Sequence, residues 1–238
     1  MGIMQPYFFP HPAHFSLIAL CDEWVVFDVT QYTPKTWMNR NRVLHPNGGA
    51  NWISVPLRNG SIAIKTSQAD ILEPAAMAGS VLGKISHYRR KAPFYQAVEA
   101  LVLSTFALPD GDLSLVHLNV RGLAAVCDYL GIPFRHRICS ELQLDLPDGL
   151  GPGDWAPEIC SRLGADQYLN PIGGQALFSP SRFEQLGIGL AFLDTDPLEY
   201  RQGDYPATAG LSILDALMWN PPEVVRAALI ANTRLAPA

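Results

Sequence analysis

The stretch Gly2-Ile3-Met4-Gln5-Pro6-Tyr7-Phe8-Phe9-Pro10-His11-Pro12-Ala13-His14-Phe15 decides how the chain is read. A short apolar strand, Ile3-Met4, runs into a Gln-Pro turn, then into a loop of aromatics and prolines. A helix over Pro12 to Leu20 follows almost at once, with proline in its first turn, where the missing N–H costs nothing. Chain ends usually fray. An end this rich in aromatic and imidazole side chains is instead expected to lie inside a site cleft.

The same strand-then-helix pattern repeats along the chain. Strands are predicted at Trp24 to Asp28, Trp52 to Leu57, Phe134 to Cys139, Gln167 to Asn170 and Ile188 to Leu193. Several are continuous apolar runs, as strands buried on both faces require. Helices are predicted at Glu73 to Ser86, Phe94 to Phe106, Ser114 to Leu130, Trp155 to Leu163, Ile213 to Trp219 and Glu223 to Ala231. Gly131 and Gly164 mark two of their C-terminal ends. The alternation implies an α/β fold with a mostly parallel, doubly wound, Rossmann-like sheet flanked by helices. The expectation is a single domain over residues 1–238 with a helical C-terminal portion from about 211. Ligands of such sheets bind beyond the carboxyl ends of the strands. Chemistry is therefore expected just after Met4, Asp28, Leu57, Cys139, Asn170 and Leu193.

Composition narrows the classes. The 238 residues are 48% apolar and 16% charged, enough for a substantial core. A net charge of −5 argues against extensive nucleic-acid binding, though it does not exclude a charged tRNA as a donor. Cys21, Cys127, Cys139 and Cys160 fit no C-x-x-C or metal-ligand spacing and read as free thiols of a reducing compartment. No metal site is expected. There is no basic n-region with a long apolar run before Gln5, and no apolar run of about 18 residues. A cytoplasmic protein without a membrane span is the expectation. No Walker A loop, G-x-G-x-x-G, H-E-x-x-H or G-x-S-x-G occurs, which lowers the prior for P-loop ATPases, NAD enzymes, zincins and α/β-hydrolases.

Five segments carry candidate chemistry. His11-Pro12-Ala13-His14 sits at a helix start, where nucleotidylyltransferases place an H-x-G-H tetrad that holds a triphosphate; Ala13 stands where that tetrad has glycine. Gln31 to Arg42 offers Gln31, Lys35, Asn39, Arg40, Asn41 and Arg42 with Tyr32 and Trp37 interleaved. Arginine forks match phosphate, amides read hydroxyls, and aromatics stack on rings. Alternation would place both Asn on one strand face and both Arg on the other; a solvated hairpin edge is the other reading. His87-Tyr88-Arg89-Arg90-Lys91 ends a helix, which suits either dipole compensation or an anion. Asn170-Pro171-Ile172-Gly173-Gly174 follows a strand, and its glycines serve as a backbone anion site or as plain turn residues. In the C-terminal segment, Ser212 reads as a helix cap. Asp215, in an apolar helix, needs a buried partner, for which an arginine of the second segment is the expectation.

Taken together, MQPYFFP, QY-x-x-K-x-W-x-NRNR, KAPFY, DQYLNPIGG, the Y-x-Q at Tyr200 and LSILDALMWN resemble the WbqC-like family, in the family's order from Met4 to about Asn220. Its members are found in bacterial polysaccharide (O-antigen) gene clusters, and a glycine transferase role has been suggested for some. The resemblance implies a glycan-precursor enzyme, an acyl- or aminoacyltransferase or an ATP-dependent amide ligase, acting on an amino sugar or sugar nucleotide. ATP with Mg2+, or an activated acyl donor, would be its co-reactant. Gln5, Tyr7, Gln31, Tyr32, Lys35, Trp37, Asn39, Arg40, Asn41, Arg42, Tyr88, Lys91, Asn170, Gly173, Gly174, Gln202, Ser212, Asp215 and Asn220 fall on family motif positions. His11, His14, Lys35 and Asp215 are the catalytic candidates and the others substrate-binding ones. The chain departs from the pattern at His11 to His14, where the family reads aromatic-x-Gly-aromatic, and at Asp28-Val29-Thr30, where it often carries two acidic residues. A non-catalytic sugar-nucleotide-binding or scaffold protein and a nucleotidylyltransferase are the alternatives.

Overall fold

The computed structural model describes residues 1–238. Its strands, in chain order, are β1 (Gly2–Met4), β2 (Trp24–Val26), β3 (Arg40–Leu44), β4 (Ala50–Ser54), β5 (His136–Ile138), β6 (Gln167–Pro171), β7 (Gly189–Thr195) and β8 (Thr233–Pro237). Its α-helices are α1 (Pro12–Ala19), α2 (Pro74–Ile85), α3 (Tyr95–Phe106), α4 (Leu115–Leu130), α5 (Trp155–Leu163), α6 (Pro180–Gln185), α7 (Ile213–Trp219) and α8 (Pro222–Ala231). Six strands form one sheet in the order β5-β2-β1-β6-β7-β8, and only β8 runs antiparallel to its neighbour. The fold is α/β with a mostly parallel sheet flanked by helices, as the alternation of elements implies.

Side-chain alternation assigns the two faces. Ile3, Val25 and Tyr168 point to one side, where they pack with Ala156, Ile159 and Cys160 of α5 and Phe183 of α6. Trp24, Val26, Leu169, Ala191 and Leu193 point to the other, against α1, α4 and α8 and a larger core continuing into α2, α3 and α7. Helices thus cover both faces. From β1 the chain steps outward to β2 and β5, then returns to the other side of β1 to lay down β6 and β7. The direction reverses between β1 and β6, and the carboxyl ends of those strands flank the crevice where such sheets take ligands. Gln5 follows one of these ends and Ile172 the other.

Two expectations are corrected, and one helix is added. The strand predicted at Trp52 to Leu57 does not join the parallel sheet: Ala50–Ser54 pairs antiparallel with β3 in a separate two-stranded sheet. A five-residue connection, His45 to Gly49, joins β3 to β4, and Gly48 and Gly49 take φ of +89° and +77°. So short a link makes antiparallel neighbours, because a parallel pair needs a long crossover. The C-terminal portion is helical only as far as Ala231, since Thr233–Pro237 closes the sheet edge as β8. Pro180–Gln185 forms a helix that the apolar pattern did not announce.

All four cysteines are free, three of them buried. No helix is long and apolar enough to cross a membrane.

Candidate functional site

The loop from Gln5 to His11 crosses the carboxyl edge of the sheet, and side chains from distant elements hold its backbone. The Asn119 amide on α4 donates to the carbonyls of Pro6 and Met38, both at 2.8 Å. Asn41 on β3 donates to the carbonyls of Phe8 and Phe9 at 3.0 and 2.8 Å. Ser212 donates its hydroxyl to the Phe9 carbonyl at 2.7 Å and accepts from the Leu214 amide at the start of α7. The Phe8 N–H donates to the Trp37 carbonyl at 2.8 Å, and the Ile213 N–H to Pro10. Phe9 sits at φ +40°, a left-handed conformation that a bulky residue keeps only when its surroundings impose it. Asn41 and Ser212, two expected substrate contacts, are therefore committed to the loop's main chain. Asn119 escaped the sequence reading. Its signal was position: it lies four residues from both Leu115 and Leu123, on the buried stripe of α4.

Asp215 on α7 is wholly buried. It accepts from the Tyr88 hydroxyl, from Tyr200 at 2.6 Å and from the Gln202 amide at 2.7 Å. The arginine expected beside it is absent; the Arg42 guanidinium donates instead to the Gly210 carbonyl at 2.7 Å. Three neutral donors replace one cation, which satisfies the carboxylate without burying a second charge. Burial, together with the Asp215 charge, pushes the Tyr88 and Tyr200 hydroxyls well above their ordinary range, so both keep the protons they donate. The Leu44 N–H donates to the Tyr88 oxygen at 2.9 Å, and Gln202 exchanges hydrogen bonds with the Thr208 backbone. The network ties β3, the turn after α2, the 200–208 loop and α7 together.

The outward face of the β3–β4 hairpin carries a ladder of cations and rings. Arg42 stands opposite Trp52 in the register. Arg40 lies 4.2 Å above the Trp52 ring, Trp52 stacks on Trp37 at 5.9 Å, and Arg42 lies 5.7 Å from Trp37. Trp37 and Trp52 are 38% and 41% exposed. Neither arginine meets a carboxylate, since the molecule's ion pairs all involve other cations. On the opposite face, Asn41 is buried and Asn39 donates to the Val55 carbonyl at 3.3 Å. Lys35 is exposed at φ +58°, whereas Tyr32 is buried in the core.

Two cavities open at the carboxyl edge, one on each side of the opening loop. A cavity of about 350 Å³ lies between the start of α1, the end of β7 and α8, and includes His11, Ser16, Tyr200, Thr208 and Gly210. His11 is exposed and its side chain makes no cap to α1. The buried Ser16 hydroxyl has no partner. His14, by contrast, is only 4% exposed, with its ring 5.6 Å from Tyr7 and 5.2 Å from Trp24. Burial, and secondarily the charge of His11, pushes its pKa down to about 3. The second cavity, about 690 Å³, has Gln5, Phe27, Thr30, Gln31, Lys65 and Trp155 in its wall. Lys65 and Trp155 were not among the residues the sequence singled out.

The remaining candidates are dispersed. Lys91 lies over the Tyr205 ring at 4.3 Å, and Asn220 donates to the Ala216 carbonyl at the end of α7. Asn170 accepts from the Tyr168 hydroxyl at 2.9 Å and donates to the Pro171 carbonyl. A Cβ at Gly174 would fall 2.3 Å from the Asn170 amide nitrogen, so this glycine permits a close approach, while Gly173 faces open space. Tyr7 is half-buried, which raises its hydroxyl pKa. No set of three His, Cys, Asp or Glu side chains converges as metal ligands.

Comparison with known proteins adds one family and one relative. The family model described as WbqC-like protein family matches residues 5–227. The chain is 27% identical over 235 residues to a Mycobacterium tuberculosis protein, "Uncharacterized protein Rv1507c", covering 95% of this chain and 97% of that one. No solved structure matches.

Proposed function

The chain belongs to the WbqC-like protein family, and from that premise we propose that it is a bacterial glycan-precursor enzyme that joins an acyl or aminoacyl group to an amino sugar carried by a nucleotide. One observation supports this most: Arg40 and Arg42 stand without carboxylate partners on two exposed tryptophan rings. Guanidinium forks suit a diphosphate and the rings suit a base. Arg42 also touches Gly210, a wall residue of the His11 cavity, so a nucleotide on the ladder would send its sugar toward that imidazole. There the sugar amine attacks the activated carbonyl carbon, a C–N bond forms, the leaving group departs, and His11 takes the amine proton. Lys35 adds positive charge at the hairpin. Asp215, His14, Asn41 and Ser212 act through the backbone and rings they hold in place.

The nucleotidylyltransferase reading is less well supported. It needs two imidazoles on one triphosphate, and His14 is enclosed between Tyr7 and Trp24. The test is thermal unfolding with a panel of nucleoside diphosphate sugars and ATP. At least one sugar nucleotide raises the melting temperature by several degrees, and Arg40→Ala abolishes the rise. A panel with no shift overturns the reading. Binding without turnover of any acyl donor would leave a sugar-nucleotide-binding protein.

A further inference from the structure

The second cavity has its own chemistry, separate from the ladder and from His11. Gln31 and Lys65 face each other across an isolated antiparallel bridge. The Tyr32 N–H to Ile64 carbonyl and Thr66 N–H to Thr30 carbonyl bonds, 2.9 Å each, flank that pair. This makes it a non-hydrogen-bonded pair, in which side chains sit closest and project to the same side. Lys65 is in no ion pair, and no carboxylate lines the cavity. The Gln31 amide donates one N–H to the Ile62 carbonyl at 2.5 Å and leaves its oxygen free. The buried Thr30 hydroxyl has no partner. Gln5, at the end of β1, adds a second amide. Opposite these polar groups, Trp155 meets Phe27 with ring centroids 5.5 Å apart.

Such a wall combines an aromatic platform, amides and hydroxyls that both donate and accept, and one unneutralised ammonium. We infer that this cavity binds a hexose-sized sugar bearing one small anionic group, either a carboxylate or a phosphate monoester. The sugar ring lies against Trp155, Gln5, Gln31 and Thr30 read its hydroxyls, and Lys65 holds the charge. A volume of about 690 Å³ lies within the range of small-molecule sites and has room for such a ring. One cation suits one compact anionic group better than the two linked phosphates of a nucleotide diphosphate, which sets this site apart from the arginine ladder. An anionic ligand also explains the absence of any acid in the wall.

The probes are glucuronate, glucose 1-phosphate and glucose, titrated into the full chain by calorimetry, with the tryptophan fluorescence change that Trp155→Ala abolishes as a second readout. At least one of the two acids binds about tenfold more tightly than glucose. Lys65→Met removes that advantage and leaves glucose binding as it was, and Trp155→Ala weakens all binding. Lys65 is exposed and unpaired, so its replacement leaves the fold intact. Binding by one acid alone identifies the charged group. The proposal is overturned if neither acid binds at tens of millimolar, if glucose binds as tightly as both, or if Lys65→Met changes nothing. None of the probes carries a nucleotide, so this result is independent of the nucleotide panel.

Discussion

Asp215 shows how a single buried charge organises its surroundings. It sits among three donors, Tyr88 on one carboxylate oxygen and Tyr200 and Gln202 on the other. Asp215→Asn turns one acceptor oxygen into a donor facing Tyr88, Tyr200 or Gln202, and Tyr88 already accepts from Leu44. Urea unfolding should show a loss of about 2–3 kcal/mol, the scale of a buried hydrogen bond to a charged group. An unchanged midpoint would show the network to be dispensable. His14 makes a pH prediction. An unfolded histidine titrates near 6.5, whereas the folded His14 has its pKa pushed down to about 3. The stability it contributes is intact above pH 6.5 and is lost as pH falls toward 3, because only the unfolded chain takes up the proton. Between pH 7 and pH 5 the loss is about 2 kcal/mol, and His14→Phe should flatten that part of the profile. An identical pH slope in the variant would contradict the burial argument.

At the scale of elements, the β3–β4 hairpin stands outside the main sheet but is fastened to it. Asn41 grips the opening loop, the Leu44 N–H meets Tyr88, and the Ser212 N–H donates to the Arg42 carbonyl at 2.7 Å. A two-stranded hairpin alone is marginal in water, so its order comes from these ties and from the buried Val43, Leu44, Ile53 and Val55. Asn41→Ala should therefore loosen the hairpin and the opening loop together. Hydrogen exchange at the Phe8 and Ser212 amides should quicken about tenfold or more, with β6 and β7 unchanged, if opening of this unit is local. Uniform quickening across the molecule would instead place the hairpin within one global unfolding unit. The alternation of Asn and Arg across β3 was legible in the sequence, because period-two patterning follows directly from strand geometry. The pairing of β4 was misread because WISVPL is as apolar as a parallel strand. Only the five-residue spacing from Leu44 and the glycines of the turn mark it as a hairpin.

At the scale of the whole molecule, the strand–helix alternation carried the fold class, a mostly parallel sheet flanked by helices. What the linear order does not carry is the sorting of polar residues between scaffold and open surface. Asn41, Ser212, Gln202 and Asp215 are as polar as Arg40 and Gln31, yet long-range packing closes the first group on backbone and on one another. Of the second group, Gln31 is exposed and Arg40 is half-buried on the open face of the hairpin. Lys65 and Trp155 could not be found from motifs, since Lys65 reaches Gln31 only through a bridge spanning 34 positions and Trp155 reaches Phe27 across the sheet edge. Three neighbouring features result: an arginine–tryptophan ladder, the His11 cavity joined to it through Gly210, and the Lys65 cavity across the opening loop. The central claim is that the ladder holds the phosphates of a sugar nucleotide. Calorimetric titration of the sugar nucleotide that shifts melting most, into the native chain and into Arg40→Ala, tests it most directly. The account predicts an affinity at least about tenfold weaker in the variant, from loss of one charge-assisted contact; equal affinities in the two proteins would contradict it.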